Sequence, residues 1–125
     1  MDPNPIQRWH DTVNLADLEG VRDVITDPVV VSGPQGAGTI TAGEFAEWVI
    51  RSGIRLQPVS WHVAGERIVV VEQEATWPES EEPRTVATMF RLTGNRVSAA
   101  LRFPDLEQAL AFARPYVQLA ATEGE

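Results

Sequence analysis

Two histidines, His10 and His62, are the side chains best suited to carry a proton near neutral pH, because an imidazole's ordinary pKa of about 6.5 lies there. Either is a candidate general base. With Asp11 or Asp27 they would offer the makings of a metal site, but no ligand-like spacing joins them, so neither a metal nor another cofactor is expected. The remaining chemistry is sparse. All ten cations among the 125 residues are arginine and there is no cysteine, which excludes lysine Schiff-base chemistry, thiol nucleophiles, disulfides and cysteine-ligated metal centres. The glycine-rich run Gly33-Pro34-Gln35-Gly36-Ala37-Gly38 lacks the lysine of a phosphate loop and reads as a structural turn between a strand and a helix.

Charge and hydropathy bound the partners. Eighteen acids against ten arginines give a net charge of −8, and the arginines are scattered, so the chain should repel a phosphate backbone and not bind nucleic acid. No apolar run approaches the ~18 residues of a membrane span, and the start of the chain lacks the basic-then-apolar character of a signal peptide. A cytoplasmic protein that avoids membranes is expected. With 43% hydrophobic and 22% charged residues, residues 1–125 read as one globular domain.

The elements that must position the candidates can be laid out from caps and periodicity. Asn4-Pro5-Ile6-Gln7 combines a capping Asn with Pro at the first helical position, and Ile6, Trp9 and Val13 then form one apolar stripe with His10 beside it. Asp17 caps a short second helix that buries Leu18, Val21, Val24 and Ile25. Residues 28–32 read as a strand, and Thr41-Ala42-Gly43-Glu44 is a capping box for a helix through Phe45, Trp48 and Val49 that stops near Gly53. From Ile54 the period becomes two, giving antiparallel strands at about 54–64, 67–77, 84–93 and 96–103. The hairpin tip with Glu79, Glu81 and Glu82 reads as solvated. A last helix runs from about 105 to 120, with a kink or early end at Pro115 and a frayed tail from Thr122. Helices followed by a meander predict an α+β fold with helices on one face of a curved antiparallel sheet.

Several segments in this order resemble one superfamily. They are Ile6-Gln7-Arg8-Trp9, Asn14-Leu15-Ala16-Asp17-Leu18-Glu19-Gly20, Asp27, Gly33-Pro34-Gln35-Gly36, Gly38-Thr39 and Phe90-Arg91-Leu92-Thr93-Gly94. Together, over about residues 6–103, they resemble the nuclear-transport-factor-2-like superfamily, and within it the ketosteroid isomerases and SnoaL-like cyclases. The resemblance implies a cone-shaped roll: N-terminal helices closing over a strongly curved antiparallel sheet, an apolar pocket between, and a homodimer through the outer sheet face. The C-terminal helix at 105–120 is an addition to the isomerase pattern, docking either over the cone's mouth or against a partner. The isomerases' catalytic positions fall on Trp9, Gly33 and Thr88, which provide no carboxylate base, so steroid isomerisation is excluded. The pocket carboxylates of the cyclase and epoxide-hydrolase branches also lack a counterpart.

Strand alternation then sorts residues by face. One register turns Val69, Val71, Gln73, Ala75 and Trp77 inward, with Val86, Thr88, Phe90 and Leu92 on the next strand and Val97, Ala99, Leu101 and Phe103 on the last. The expected pocket thus comprises Trp9, Val13, Phe45 and Trp48 from the helices and Val71, Gln73, Trp77, Thr88, Phe90, Ala99 and Phe103 from the sheet. The same register sends Glu72, Glu74, Met89, Arg91 and Arg102 outward to the dimer interface. A slip of one residue would bring Glu72, Glu74, Arg91 and Arg102 inside, but would push Val69, Val71, Phe90 and Phe103 out. For His62 the face stays open.

Three functions remain. The leading one is a binding module for a small apolar or aromatic molecule, oriented by Gln73, Thr88 and His10. The others are a cyclase- or isomerase-type enzyme using His10 or His62 as base, and a non-catalytic dimerisation domain with a filled pocket.

Overall fold

The computed structural model describes residues 4–33, 36–79 and 82–123. Helix α1 (Pro5–Asn14) starts where its cap requires, the Asn4 side chain accepting from the Ile6 amide at 2.8 Å. It buries Ile6, Trp9, His10 and Val13 on one stripe. Helix α2 (Leu18–Val24) is capped by Asp17 and buries Val21 and Val24, whereas Leu18 is exposed. Ile25, expected on that helix, instead opens strand β1 (Ile25–Gly33).

The glycine-rich segment is not the plain strand-to-helix connection that was expected. It contains a further strand, β2 (Gly36–Ile40), which pairs antiparallel with β1; Pro34 and Gln35 lie outside the described residues. Helix α3 (Ala42–Ser52) follows with its capping box formed in both directions between Thr41 and Glu44, and it ends at Gly53 in the left-handed region at φ 66°. The meander then runs through β3 (Arg55–Val63), β4 (Ile68–Thr76), β5 (Arg84–Thr93) and β6 (Arg96–Phe103), close to the expected limits.

The six strands form one curved sheet in the order β2-β1-β6-β5-β4-β3. It is mixed, not wholly antiparallel as expected, because β1 lies parallel to β6. Returning the chain from β1 to the sheet's middle by way of α3 and the meander makes that parallel neighbour. Helices α1, α2 and α3 pack on the inner face around Phe45, Val71, Phe90 and Val97. Asn14 fixes the end of α1 to β3, its side chain exchanging two hydrogen bonds with the Leu56 backbone at 2.7 and 2.8 Å.

Helix α4 (Leu106–Glu123) takes neither expected position. It lies across the outer face of its own sheet, over β4, β5 and β6, and encloses a second core of Ile68, Val70, Met89 and Leu101 with Ala109 and Ala113. Small residues allow the approach: a Cβ on Gly65, in the β3–β4 turn, would come within 2.9 Å of Val117. The Tyr116 hydroxyl accepts from Arg91 of β5 at 3.0 Å. The helix also passes through Pro115 without the expected end. Both Pro115 and Ala111 are on the exposed side, where the carbonyl that proline leaves without a donor meets water. The helix extends through Thr122, and Gly124 and Glu125, also expected to fray, lie outside the described residues, as does Glu81 of the acidic tip. Among the described residues no helix is long and apolar enough to cross a membrane.

Candidate functional site

Between the inner helices and the sheet lies a cavity of about 780 Å³. Helix α1 contributes Trp9 and Val13, α3 contributes Phe45, Trp48 and Val49, and Trp77 closes the side beyond β4. Strand β5 supplies Val86 and Thr88, and β6 supplies Ala100 and Arg102. The rings are in mutual contact, Phe45 with Trp9 at 6.3 Å and with Trp48 at 6.2 Å between centroids, so the walls are aromatic and apolar.

Of the expected pocket residues, Trp9, Val13, Phe45, Trp48, Trp77, Thr88 and Phe103 border this space. Val71, Gln73 and Phe90 are fully buried just behind its wall. Ala99, expected in the pocket, does not border it. It turns to the outer face, because Ser98 forms a bulge in β6: Leu92 pairs with Val97 but Arg91 pairs with Ala99, leaving Ser98 without a counterpart. The extra residue reverses the phase of the rest of the strand. Ala99, Leu101 and Phe103 therefore point outward, the Phe103 ring onto Phe112 of α4 so that it meets the cavity only at its edge, while Ala100 and Arg102 point in, beside Phe90 and Thr88.

The bulge is held by its own side chain. Ser98 Oγ accepts from Arg91 Nε at 2.9 Å and from Thr93 at 2.8 Å, and it donates to the Arg91 carbonyl at 3.2 Å. Arg102, assigned by alternation to a dimer interface, is thus brought into the cavity. Its backbone amide donates to Ser32 Oγ of β1 at 2.8 Å, and its guanidinium carbon lies 5.9 Å from the ring centroids of both Trp48 and Trp77. Burial lowers its pKa from the ordinary arginine value, though a guanidinium stays protonated at neutral pH. Met89 and Arg91 are likewise taken out of the proposed interface: Met89 is buried beneath α4 and Arg91 is bonded to Tyr116. Glu72 and Glu74 do lie on the outer face, toward β3.

Neither histidine faces the cavity. His62 is on the outer face with Ser60, whose hydroxyl lies 2.9 Å from His62 Nε2 and 3.1 Å from Glu72 Oε1. His10 is fully buried inside a cage formed by Trp9, Phe90 and Trp61, with centroids 5.0, 5.6 and 5.8 Å away. Both its nitrogens are engaged. Nδ1 donates to the Ile6 carbonyl at 2.8 Å, which fixes the neutral tautomer, so Nε2 accepts from the Gln73 amide at 2.7 Å. Gln73 Oε1 in turn accepts from Thr88 Oγ1 at 2.7 Å. The relay commits the threonine proton inward and leaves its lone pairs for the cavity, making Thr88 an acceptor toward any occupant.

Burial is the largest influence on His10 and lowers its pKa below 6.5, against smaller opposing effects of the Ile6 carbonyl and Asp11. The folded state therefore binds fewer protons than the unfolded state just below pH 6.5. Stability is full above that pH and falls as pH drops through it toward the lowered value, with a slope of up to about 1.4 kcal/mol per pH unit. Urea midpoints measured from pH 7.5 to 5 should decline, and His10→Phe should flatten that part of the curve.

Among the described residues no group of three or more His, Asp or Glu comes together, and no Asp, Glu or His borders the cavity. The charged side chains that do border it are Arg102 and, at the exposed rim, Arg84.

No family model matches this chain, and neither does any curated protein. Solved structures match it in fold. An NTF2-like protein of unknown function from Cytophaga hutchinsonii superposes with a TM-score of 0.70 at 6% identity, over 79% of this chain and 85% of that one. A putative polyketide cyclase from Sinorhizobium meliloti gives 0.69 at 13% identity, over 81% and 94%. An LEH-like epoxide hydrolase from M. tuberculosis gives 0.65 at 12% identity, over 97% and 94%. The chain has the NTF2-like, cystatin-like α+β fold.

Proposed function

We propose that this NTF2-like cone is a binding module for a small, flat, predominantly apolar molecule held between α1, α3 and the sheet. The observation that carries the reading is the cavity of about 780 Å³ walled by Trp9, Phe45, Trp48 and Trp77, within the range of small-molecule sites. Thr88 orients the occupant through its outward-facing lone pairs, fixed by Gln73 and His10. A catalytic role resting on a histidine base has less support, since His10 spends both nitrogens on internal bonds and His62 is on the far face of the sheet. The solved cyclase-like and hydrolase-like neighbours are similar in fold at 12–13% identity, and that likeness supports the fold and no particular reaction.

The test is titration with 1-pyrenemethanol, a neutral four-ring probe, followed by its fluorescence. Saturable one-to-one binding is expected in the unaltered protein, and Ala100→Phe, which fills the cavity from β6, should weaken it by at least about tenfold. Absence of binding, or binding indifferent to A100F, overturns the reading.

A homodimer remains part of the proposal only through the strip of outer face that α4 leaves open, where Glu72 and Glu74 lie beside Ser60 and His62. Sedimentation showing monomer alone at high micromolar concentration removes it. A cytoplasmic setting is likewise part of the proposal.

A further inference from the structure

The cavity reverses the sign of the chain that encloses it. Eighteen acids and ten arginines make the protein strongly anionic, yet among the described residues the charged groups bordering the cavity are both arginines. The two differ in kind. Arg84 is exposed at the rim, where water satisfies it, whereas Arg102 is largely withdrawn from solvent. Arg102's guanidinium rests between two tryptophan rings, which favour a cation over their faces but accept none of its five N–H donors. No carboxylate among the described residues pairs with it, and burial lowers its pKa. A buried arginine that merely closes a fold is expected to have an acid or several carbonyls at its donors. Here the donors meet the cavity instead.

We propose that the occupant is a flat apolar monocarboxylate, its acid group held by the Arg102 guanidinium between Trp48 and Trp77 and its body lying against Phe45, Trp9 and Val86. This inference rests on the pocket reading above and adds the ligand's charge to it. A carboxylate is favoured because its two oxygens match the planar donor fork, whereas a dianion such as a phosphate monoester would leave one charge without a buried cation to meet it. Thr88, paired directly with Arg102 across β5 and β6, offers only an acceptor. It therefore keeps the carboxylate on the arginine and favours a donor on the ligand's body. The rim position of Arg84 adds attraction at the mouth, where low-dielectric walls focus the field.

The experiment compares three probes of one shape by isothermal titration: 1-pyrenecarboxylate, 1-pyrenemethanol and 1-pyrenemethylammonium. The carboxylate is expected to bind at least about tenfold tighter than the alcohol, with the ammonium weakest. In Arg102→Met the carboxylate should lose that advantage while the alcohol changes by less than about threefold. Arg102→Lys, which keeps a cation without the planar fork, should retain part of the preference, and it serves should R102M fail to fold. Equal binding of acid and alcohol to the unaltered protein overturns the carboxylate while leaving the pocket reading standing. A preference that survives in R102M also overturns it, assigning the charge to another group. Failure of all three probes to bind removes the pocket reading itself.

Discussion

Replacing His10 by alanine should lower the folding stability by about 3–5 kcal/mol, read from urea or thermal unfolding at pH 7.5. Two losses combine. The imidazole is enclosed by Trp9, Phe90 and Trp61, so its removal opens a void beside the aromatic core. It is also the acceptor for Gln73, which is fully buried and would be left with an amide N–H and no partner. The two losses can be separated. His10→Phe keeps a ring of similar shape and gives up only the acceptor, so it should cost about 1–3 kcal/mol. Adding Gln73→Leu to H10F removes the orphaned donor and should recover much of that loss, while Q73L alone should be destabilising. A favourable coupling of about 1 kcal/mol or more in the double-mutant cycle is the expected result. Additive losses would mean that the relay contributes nothing beyond packing. The relay also fixes the direction of the Thr88 hydroxyl, so H10F, with Gln73 free to turn, should alter probe affinity even though position 10 does not border the cavity.

The same residues show what was legible beforehand and what was not. The caps at Asn4 and Thr41 and the stop at Gly53 could be read because their chemistry is local: the capping side chain and the amide it serves lie within a few residues. The inward phase of β4 and β5 was legible because Gln73 and Thr88 sit among apolar neighbours while Glu72 and Glu74 alternate with them. Strand β6 was not. With α1–α3 on one side and α4 on the other it is buried on both faces, so Val97, Ala99, Ala100, Leu101 and Phe103 are apolar in either phase and alternation carries no information about facing. A single polar residue, Ser98, shifts the register, and a serine within an apolar strand was the one available signal. Missing it placed Arg102 outside and made the pocket appear free of charge. Strand β2 was obscured for a different reason: three of its five residues are glycine or alanine, leaving almost no side-chain pattern to read. His10 was legible as a candidate on its helix stripe, but its partner, 63 residues away, was not.

Ala109→Glu is expected to detach α4 and cost about 3–5 kcal/mol, whereas Ala111→Glu, on the exposed side of the same helix, should stay within about 0.5 kcal/mol of the unaltered protein. Ala109 is fully buried against a sheet face of Ile68, Val70, Met89 and Leu101. A glutamate there is both too large for the contact and charged with no partner facing it, since the Arg91 guanidinium is already bonded to Ser98 and Tyr116. The change should spare the cavity, because α4 approaches it only at Phe103, whose ring packs on Phe112 with centroids 5.4 Å apart. Pyrene-probe affinity in A109E, measured where the protein remains folded, should therefore move far less than stability does. Sedimentation of the same variant addresses how the outer face is used. With α4 displaced, Val70, Met89 and Leu101 form an exposed apolar surface on the face where copies of this fold were expected to meet. A shift of A109E to dimers or larger species, against unchanged behaviour in A111E, is the expected result, and it would identify α4 as the chain's own cover for a surface that otherwise requires a partner. A109E remaining monomeric and as stable as A111E would mean that the helix contributes little to burying that face.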